Sequence, residues 1–234
     1  MIARCIIDEL HDEPAINMAL DEVLLEKVEN AEEATIYLRF FKWSRPYCSF
    51  GYAQRVKNKT NLQARYELVR RPTGGGLVFH GHDTCISIVS SLDIHAKFSE
   101  LSLSYNFLHS LILKGLFGKK NESRFKDEKL SLYLEKSEAN LGQGVYSCFK
   151  KPVLADIMWG SEKVVGSAQK RIKKSFLQQG SIALDDLNIK EIIESFEDGL
   201  ALKFKMYKYC QGDCDKASGL LDHKYLNPEW TLRI

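Results

Sequence analysis

Between Val69 and Ser90 the chain reads VRRPTGGGLVFHGHDTCISIVS, which sets three consecutive glycines between two stretches with strand character. Gly74, Gly75 and Gly76 carry no Cβ, so the backbone there can take positive φ and let a ligand come within contact distance. Consecutive exposed N–H groups in such a turn form a concavity for anions. Arg70 and Arg71 add fixed positive charge in a fork geometry suited to carboxylate or phosphate. The same residues also suit a tight hairpin with two solvated arginines, because glycine clusters commonly mark turns.

A second segment, EKVVGSAQ from Glu162 to Gln169, reads as a strand ending in small residues, and LQQGSI follows from Leu177 to Ile182. Lys163 is the one cation inside that apolar strand. An ammonium buried without a partner is costly, so the lysine either snorkels to the surface or waits for an anionic ligand. A solvated edge-strand lysine is the plainer alternative.

These segments together resemble the catalytic domain shared by lipoate–protein ligases, octanoyltransferases and biotin–protein ligases, most closely the lipoate–protein ligase A group. PAINMALDE from Pro14 to Glu22 matches the family's first helix, and SFGYAQ from Ser49 to Gln54 its next strand and turn. RRPTGGG, Lys163 to Gln169 and LQQGSI complete the pattern in the same order. A biotin ligase is disfavoured, because the loop reads TGGG and lacks that group's Arg-Gly-rich loop.

The resemblance implies an α+β fold: a mixed, largely antiparallel sheet flanked by helices. It implies attachment of a lipoyl or octanoyl group to one lysine of a lipoyl domain. The partners would be lipoyl domains of 2-oxoacid dehydrogenase complexes or the glycine cleavage H protein, with acyl carrier protein as a donor. Implied substrate-binding residues are Arg70, Arg71, Gly74, Gly75, Gly76, His80, Gly166, Ser167 and Ala168, with Lys163 catalytic. Val78, Phe79, Val164 and Ala168 are candidate walls of an acyl tunnel, though ordinary core positions explain each equally well. The family often places histidine where this chain has Gln179.

Cys148, in the segment Tyr146-Ser147-Cys148-Phe149, bears on the type of reaction. One octanoyltransferase subgroup carries a catalytic cysteine in a similar Cys-Phe segment upstream of the lysine strand. A thiolate can accept an acyl group as a thioester and yield it to an amine. A neighbouring cation such as Lys163 would raise the thiolate fraction. The expectation is a cysteine-dependent transferase that needs no cofactor. The alternative is a ligase that uses ATP and Mg²⁺ through lipoyl-adenylate, with Arg71, the glycine loop and Lys163 on the carboxylate and α-phosphate. A non-catalytic module that holds a lipoyl domain is the third reading.

The 234 residues are expected to form one catalytic domain without a C-terminal accessory domain. A net charge of +2 gives no case for nucleic acid or a membrane surface. The N-terminus has no basic leader followed by a long apolar run. Six cysteines without an export signal favour reduced thiols in a cytoplasm. Cys210 and Cys214 lack the spacing of a zinc pair, and no metal site is expected.

Periodicity predicts strands at Met1–Ile7, Thr35–Phe41, Tyr47–Tyr52 and Leu68–Arg71, and a hairpin joining Leu77–His80 to Thr84–Ser91 around Gly81-His82-Asp83. Further strands are predicted at Val153–Trp159, Glu162–Gly166 and Phe176–Leu184. Helices are predicted at Pro14–Val28, Asn61–Tyr66, Ser99–Leu116 and Ile189–Phe196. Lys119 to Gly144 is polar and shows no clear strand; it reads as a surface insertion, a lid or a docking loop. The pattern is weak after Asp198.

Overall fold

The computed structural model describes residues 1–55, 63, 65–118, 130–133, 152–185 and 187–232. An eight-stranded sheet forms its centre. In chain order its strands are β1 (Ile2–Asp8), β2 (Thr35–Phe41), β6 (Thr84–Ser91), β7 (Leu130–Leu132), β8 (Ile157–Trp159), β9 (Glu162–Arg171), β10 (Ser175–Ile182) and β11 (Lys205–Met206). They lie in the order β11-β1-β2-β6-β10-β9-β8-β7. The pairs β1–β2 and β1–β11 are parallel, and the others are antiparallel. A small sheet joins β3 (Tyr47–Phe50), β4 (Glu67–Arg70) and β5 (Val78–His80), with β3 in the middle.

Every residue of β2 is buried, so both faces of the large sheet are covered. Side chains alternate across a strand. Ile36, Leu38 and Phe40 join Ile86, Ile88 and Phe176 on one face, under α2 (Leu101–Leu116) and α3 (Ile189–Leu200). Tyr37, Val89 and Leu177 face the other way, against Leu24, Leu25 and Val28 of α1 (Pro14–Glu29). Pro14 sits in the first turn of α1, where its missing N–H costs nothing.

The predicted hairpin does not form. Val78–His80 pairs with β3 in the small sheet, whereas Thr84–Ser91 pairs with β2 and β10 in the large one. Gly81, at φ 159°, and the two residues after it carry the chain from one sheet to the other. Within the segment that showed no strand, Leu130–Leu132 pairs with β8. Apart from Tyr133, the rest of the Lys119–Gly144 insertion lies outside the described residues, as do Cys148 and residues 61, 62 and 64 of the short helix predicted at Asn61–Tyr66.

The weakly patterned end is folded. α4 (Gln211–Leu220), a π-helical turn at Leu221–Tyr225 and α5 (Pro228–Thr231) pack on α1 and β4. Among the described residues no helix is long and apolar enough to cross a membrane.

Candidate functional site

β6, β9 and β10, with Arg71 and Val78 from either side of the glycine loop, line a cavity on the α1 side of the large sheet; Gly74, Gly75 and Gly76 are not among its lining residues. Its apolar wall includes Met18, Phe41, Trp43 and Val78, and its polar wall Arg71, His80, Gln179 and Ser181. Ile86, Gly180 and Ser167, paired across the three strands with the side chains of Ile86 and Ser167 on the α2 face, form its floor. Gly166 and Ala168 complete the β9 side. Of the residues expected from sequence, Arg71, His80, Gly166, Ser167 and Ala168 therefore line one space. Of the expected tunnel walls, Val78 and Ala168 line it too. Phe79 is 46% exposed and packs on Tyr66, and Val164 belongs to the core under α2.

The two loop arginines are anchored within the protein. Arg70 does not line the cavity. Its guanidinium donates to the carbonyls of Gly51, Tyr52 and Gln54 on one side and Trp230 and Thr231 on the other. It clasps the C-terminal turn to the small sheet. Arg71 donates to the carbonyls of Ser49, Gly74 and Gly76 and, at 2.5 Å, to Ser49 Oγ. It holds the glycine loop shut around itself and presents one edge to the cavity.

Gly75 takes φ 83°, as a left-handed position in the loop requires. Gly51 is needed for a different reason: a Cβ there would stand 2.0 Å from the carbonyl oxygen of Gly75. Gly74 has open space around it, with no heavy atom within 4 Å of a Cβ.

Lys163 corrects both options that the sequence offered. It neither reaches solvent nor waits unpaired: Nζ lies 2.7 Å from Asp156 Oδ2, and both side chains are 2% exposed. Burial lifts the Asp156 carboxyl above its ordinary range, and Lys163 opposes that shift. The lysine folds under Gly166, where an added Cβ would meet Nζ at 2.6 Å. This close approach explains why glycine follows the two valines. Asp156 had no signal in the sequence beyond being an acidic residue inside a predicted strand.

A buried polar chain runs from the loop into the sheet. Thr73 Oγ1 donates to Gln179 Oε1 at 2.7 Å, and Gln179 Nε2 donates to Asp21 Oδ2 at 2.7 Å. Asp21 also accepts from Ser87 Oγ and from Arg39, which is wholly buried and bonds Asp8 as well. Burial raises the Asp8 carboxyl, but the Arg39 charge and bonds, with His11, bring it below its ordinary value. Gln179 thus supplies a donor and an acceptor at once, and ties the glycine loop to α1.

His80 is held at both nitrogens. Nδ1 lies 2.7 Å from Asp83 Oδ2, Nε2 lies 2.7 Å from Ser49 Oγ, and the ring stacks on Trp43. Asp83 also accepts from Ser181 Oγ at 2.5 Å. Burial would raise its carboxyl, but His80 and these bonds hold it down at about 2. Cys85 completes the group: Trp43 Nε1 donates to its sulfur, and burial with the Asp83 charge pushes its thiol well up. The donor atoms of His80, Asp83 and Cys85 lie within 4.8 Å of one another. Their bonds to one another, to Ser49, to Ser181 and to Trp43 already account for the arrangement.

Residues 13–211 match the family model described as the lipoyl protein ligase A/B catalytic domain. The octanoyltransferase LipM of Bacillus subtilis is 29% identical, over 97% of this chain and 97% of that protein. The octanoyltransferase LipM of Bacillus cereus is 32% identical, over 82% of this chain and 69% of that one. Among solved structures, a lipoate-protein ligase A bound with ATP superposes with a TM-score of 0.74 at 21% identity, over 99% of both chains. A bi-partite lipoate protein ligase from Thermoplasma acidophilum gives 0.68 at 20% identity, over 99% of this chain and 96% of that one. The expected α+β arrangement with a mostly antiparallel sheet is therefore the fold of lipoate–protein ligases.

Proposed function

The chain belongs to the lipoyl protein ligase A/B catalytic-domain family, and we propose that it transfers an octanoyl group to the acceptor lysine of a lipoyl domain through a thioester on Cys148. The observation that carries this reading is the alignment, end to end, with a relative that is an octanoyltransferase. In the first step the Cys148 thiolate attacks the donor thioester; a new sulfur–carbon bond forms and the donor thiol leaves. In the second, the acceptor amine attacks the Cys148 thioester; an amide bond forms, the amine gives up a proton, and the Cys148 sulfur is released. Neither step needs ATP or a metal. Acyl carrier protein fits as the donor, because it presents its acyl group as a thioester.

The apolar side of the cavity is where an acyl chain would lie. Met18, Phe41, Trp43 and Val78 form its apolar wall, and polar groups gather along β10 and beside the loop. The glycine loop offers backbone N–H groups, and Lys163 offers a fixed cation. Both would stabilise the oxyanion that develops at the thioester carbonyl in each step.

Incubation with octanoyl acyl carrier protein, without ATP, should add one octanoyl group to the protein at Cys148. Cys148→Ala should abolish both the adduct and transfer to a lipoyl domain. If Cys148→Ala still modifies the lipoyl domain with free lipoate and Mg-ATP, the adenylate route replaces this one.

A further inference from the structure

Three residues that line the cavity, Arg71, His80 and Ser181, also belong to one buried chain of hydrogen bonds. His80 ends β5 and Ser181 lies on β10; Ser49 of β3 and Asp83, just before β6, join them. All five residues are buried.

The protons in this chain have one order. The Asp83 carboxyl stays ionised, and a carboxylate can only accept. It accepts from Ser181 Oγ at 2.5 Å and from the Gly81 N–H at 3.2 Å. His80 Nδ1, 2.7 Å from Asp83 Oδ2, therefore carries a proton. At the other end a guanidinium can only donate, and Arg71 Nη1 gives to Ser49 Oγ at 2.5 Å. His80 Nε2 lies 2.7 Å from that same oxygen. A doubly protonated ring would bring a second cationic donor onto it and leave the serine proton unplaced. A neutral ring uses each proton once: Nε2 accepts from the Ser49 hydroxyl. Arg71 thus donates to Ser49, Ser49 to His80 and His80 to Asp83.

The chain crosses from one sheet to the other. Ser181 is in the large sheet, and His80 and Ser49 are in the small one. Arg71 gives further N–H groups to the carbonyls of Ser49, Gly74 and Gly76. Where its guanidinium sits therefore decides the path of the glycine loop. Those carbonyls belong to the small sheet and its loop, whereas the Ser49 hydroxyl links the guanidinium, through His80 and Asp83, to the large sheet.

We propose that Asp83 and His80 are positioning residues, which act through the Ser49 hydroxyl to hold the Arg71 guanidinium, and with it the glycine loop, in the pose that acyl transfer uses. This rests on the acyl transfer proposed above and on the loop's part in it.

Asp83→Asn keeps the shape of the side chain. An Asp→Asn change behind a serine-bound histidine leaves the geometry intact but the ring in the wrong tautomer. Nε2 then carries the proton, and two donors crowd the Ser49 oxygen. Ser49→Ala cuts the chain at its middle. Two quantities are followed: the rate of acyl loading from octanoyl acyl carrier protein without ATP, and hydrogen exchange at the amides of Gly74, Gly75 and Gly76. Either single change should slow loading and speed exchange about tenfold, the effect of one hydrogen bond to a charged group. In the Ser49→Ala background, Asp83→Asn should add less than about threefold to either, because residues in one hydrogen-bond network do not act independently. Two merely structural residues would multiply their effects, and that result overturns the proposal. Nitrogen-15 NMR, with His80 assigned by its loss in His80→Gln, should show Nδ1–H in the parent and Nε2–H in Asp83→Asn; an Nε2–H ring in the parent overturns the chain. If Asp83→Asn does not fold, Ser49→Ala decides alone: loop exchange as slow as the parent's overturns the proposal. A parent that loads no acyl group, but whose loop exchange follows the expected pattern across the variants, sinks the proposed reaction and leaves the chain from Arg71 to Asp83 standing as the support of the loop.

Discussion

Lys163 and Asp156 form a buried ion pair at 2.7 Å, with each side chain 2% exposed. Removing one partner of such a pair leaves the other charge uncompensated, which typically costs about 3–5 kcal/mol. Replacing both by apolar groups of similar size is often neutral. Deleting the lysine alone therefore carries a cost to the fold.

Lys163→Ala should therefore lower stability by about 3 kcal/mol as well as abolish transfer. The double variant Lys163→Met with Asp156→Leu should regain most of the stability and none of the transfer. Urea melts and a transfer assay on each variant test this. A double variant that transfers at the parental rate would remove Lys163 from the chemistry.

Gly74, Gly75 and Gly51, which packs against the loop, should respond differently. Gly74→Ala has open space and an ordinary φ, so its stability should stay within about 0.5 kcal/mol of the parent. Gly75→Ala forces a Cβ at φ 83° and should cost about 1–2 kcal/mol. Gly51→Ala should be the worst, because its Cβ would collide with the Gly75 carbonyl. Chemical denaturation should rank the three in that order.

Arg70 and Arg71 should separate by readout. Lysine lacks the planar fork that serves the five carbonyls around Arg70. Arg70→Lys should release the turn at Trp230 and Thr231 and lower the melting temperature, with transfer per folded molecule near the parental value. Arg71→Lys should impair transfer more than stability, because Arg71 shapes the cavity wall. The reverse pattern would exchange the two roles.

Acid stability should carry the mark of His109. Burial, and to a lesser degree the charge of Lys163, bring its pKa from 6.5 to about 4, against the bond to the Ala155 carbonyl. The folded protein thus holds the ring neutral where the unfolded chain would protonate it. The stability this confers is complete above pH 6.5 and is lost as pH falls towards 4, by roughly 3 kcal/mol in all. Asp83, lowered to about 2, adds its loss only below about pH 4. The urea midpoint should fall between pH 6.5 and 4 in the parent and stay flatter in His109→Asn. An equal fall in both would reassign the effect.

Most of what places this chain in its family is local, and local features are readable in sequence. Pro14 and the apolar positions of α1, the β-branched run of β2 and the glycines at 74–76 each announce their own backbone conformation. So does the strand EKVVGSAQ, whose Lys163, Gly166, Ser167 and Ala168 the structure brings to one cavity and its underside. What tertiary structure alone decided are the partners. Val78–His80 and Thr84–Ser91 look like a hairpin, yet they divide between two sheets: the second runs along the whole of β10, and the first pairs with β3. Asp156 and His109 carry no motif; they matter because folding brings them to Lys163 and to Ser167. Arg70 and Arg71 are adjacent and chemically identical, but Arg70 ends β4 and Arg71 follows it, and the two side chains go to different partners. One clasps the C-terminal turn and the other closes the glycine loop. Sequence states which groups are available, and burial decides which of them must find one another, because a buried charge or hydroxyl without a partner is too costly to keep.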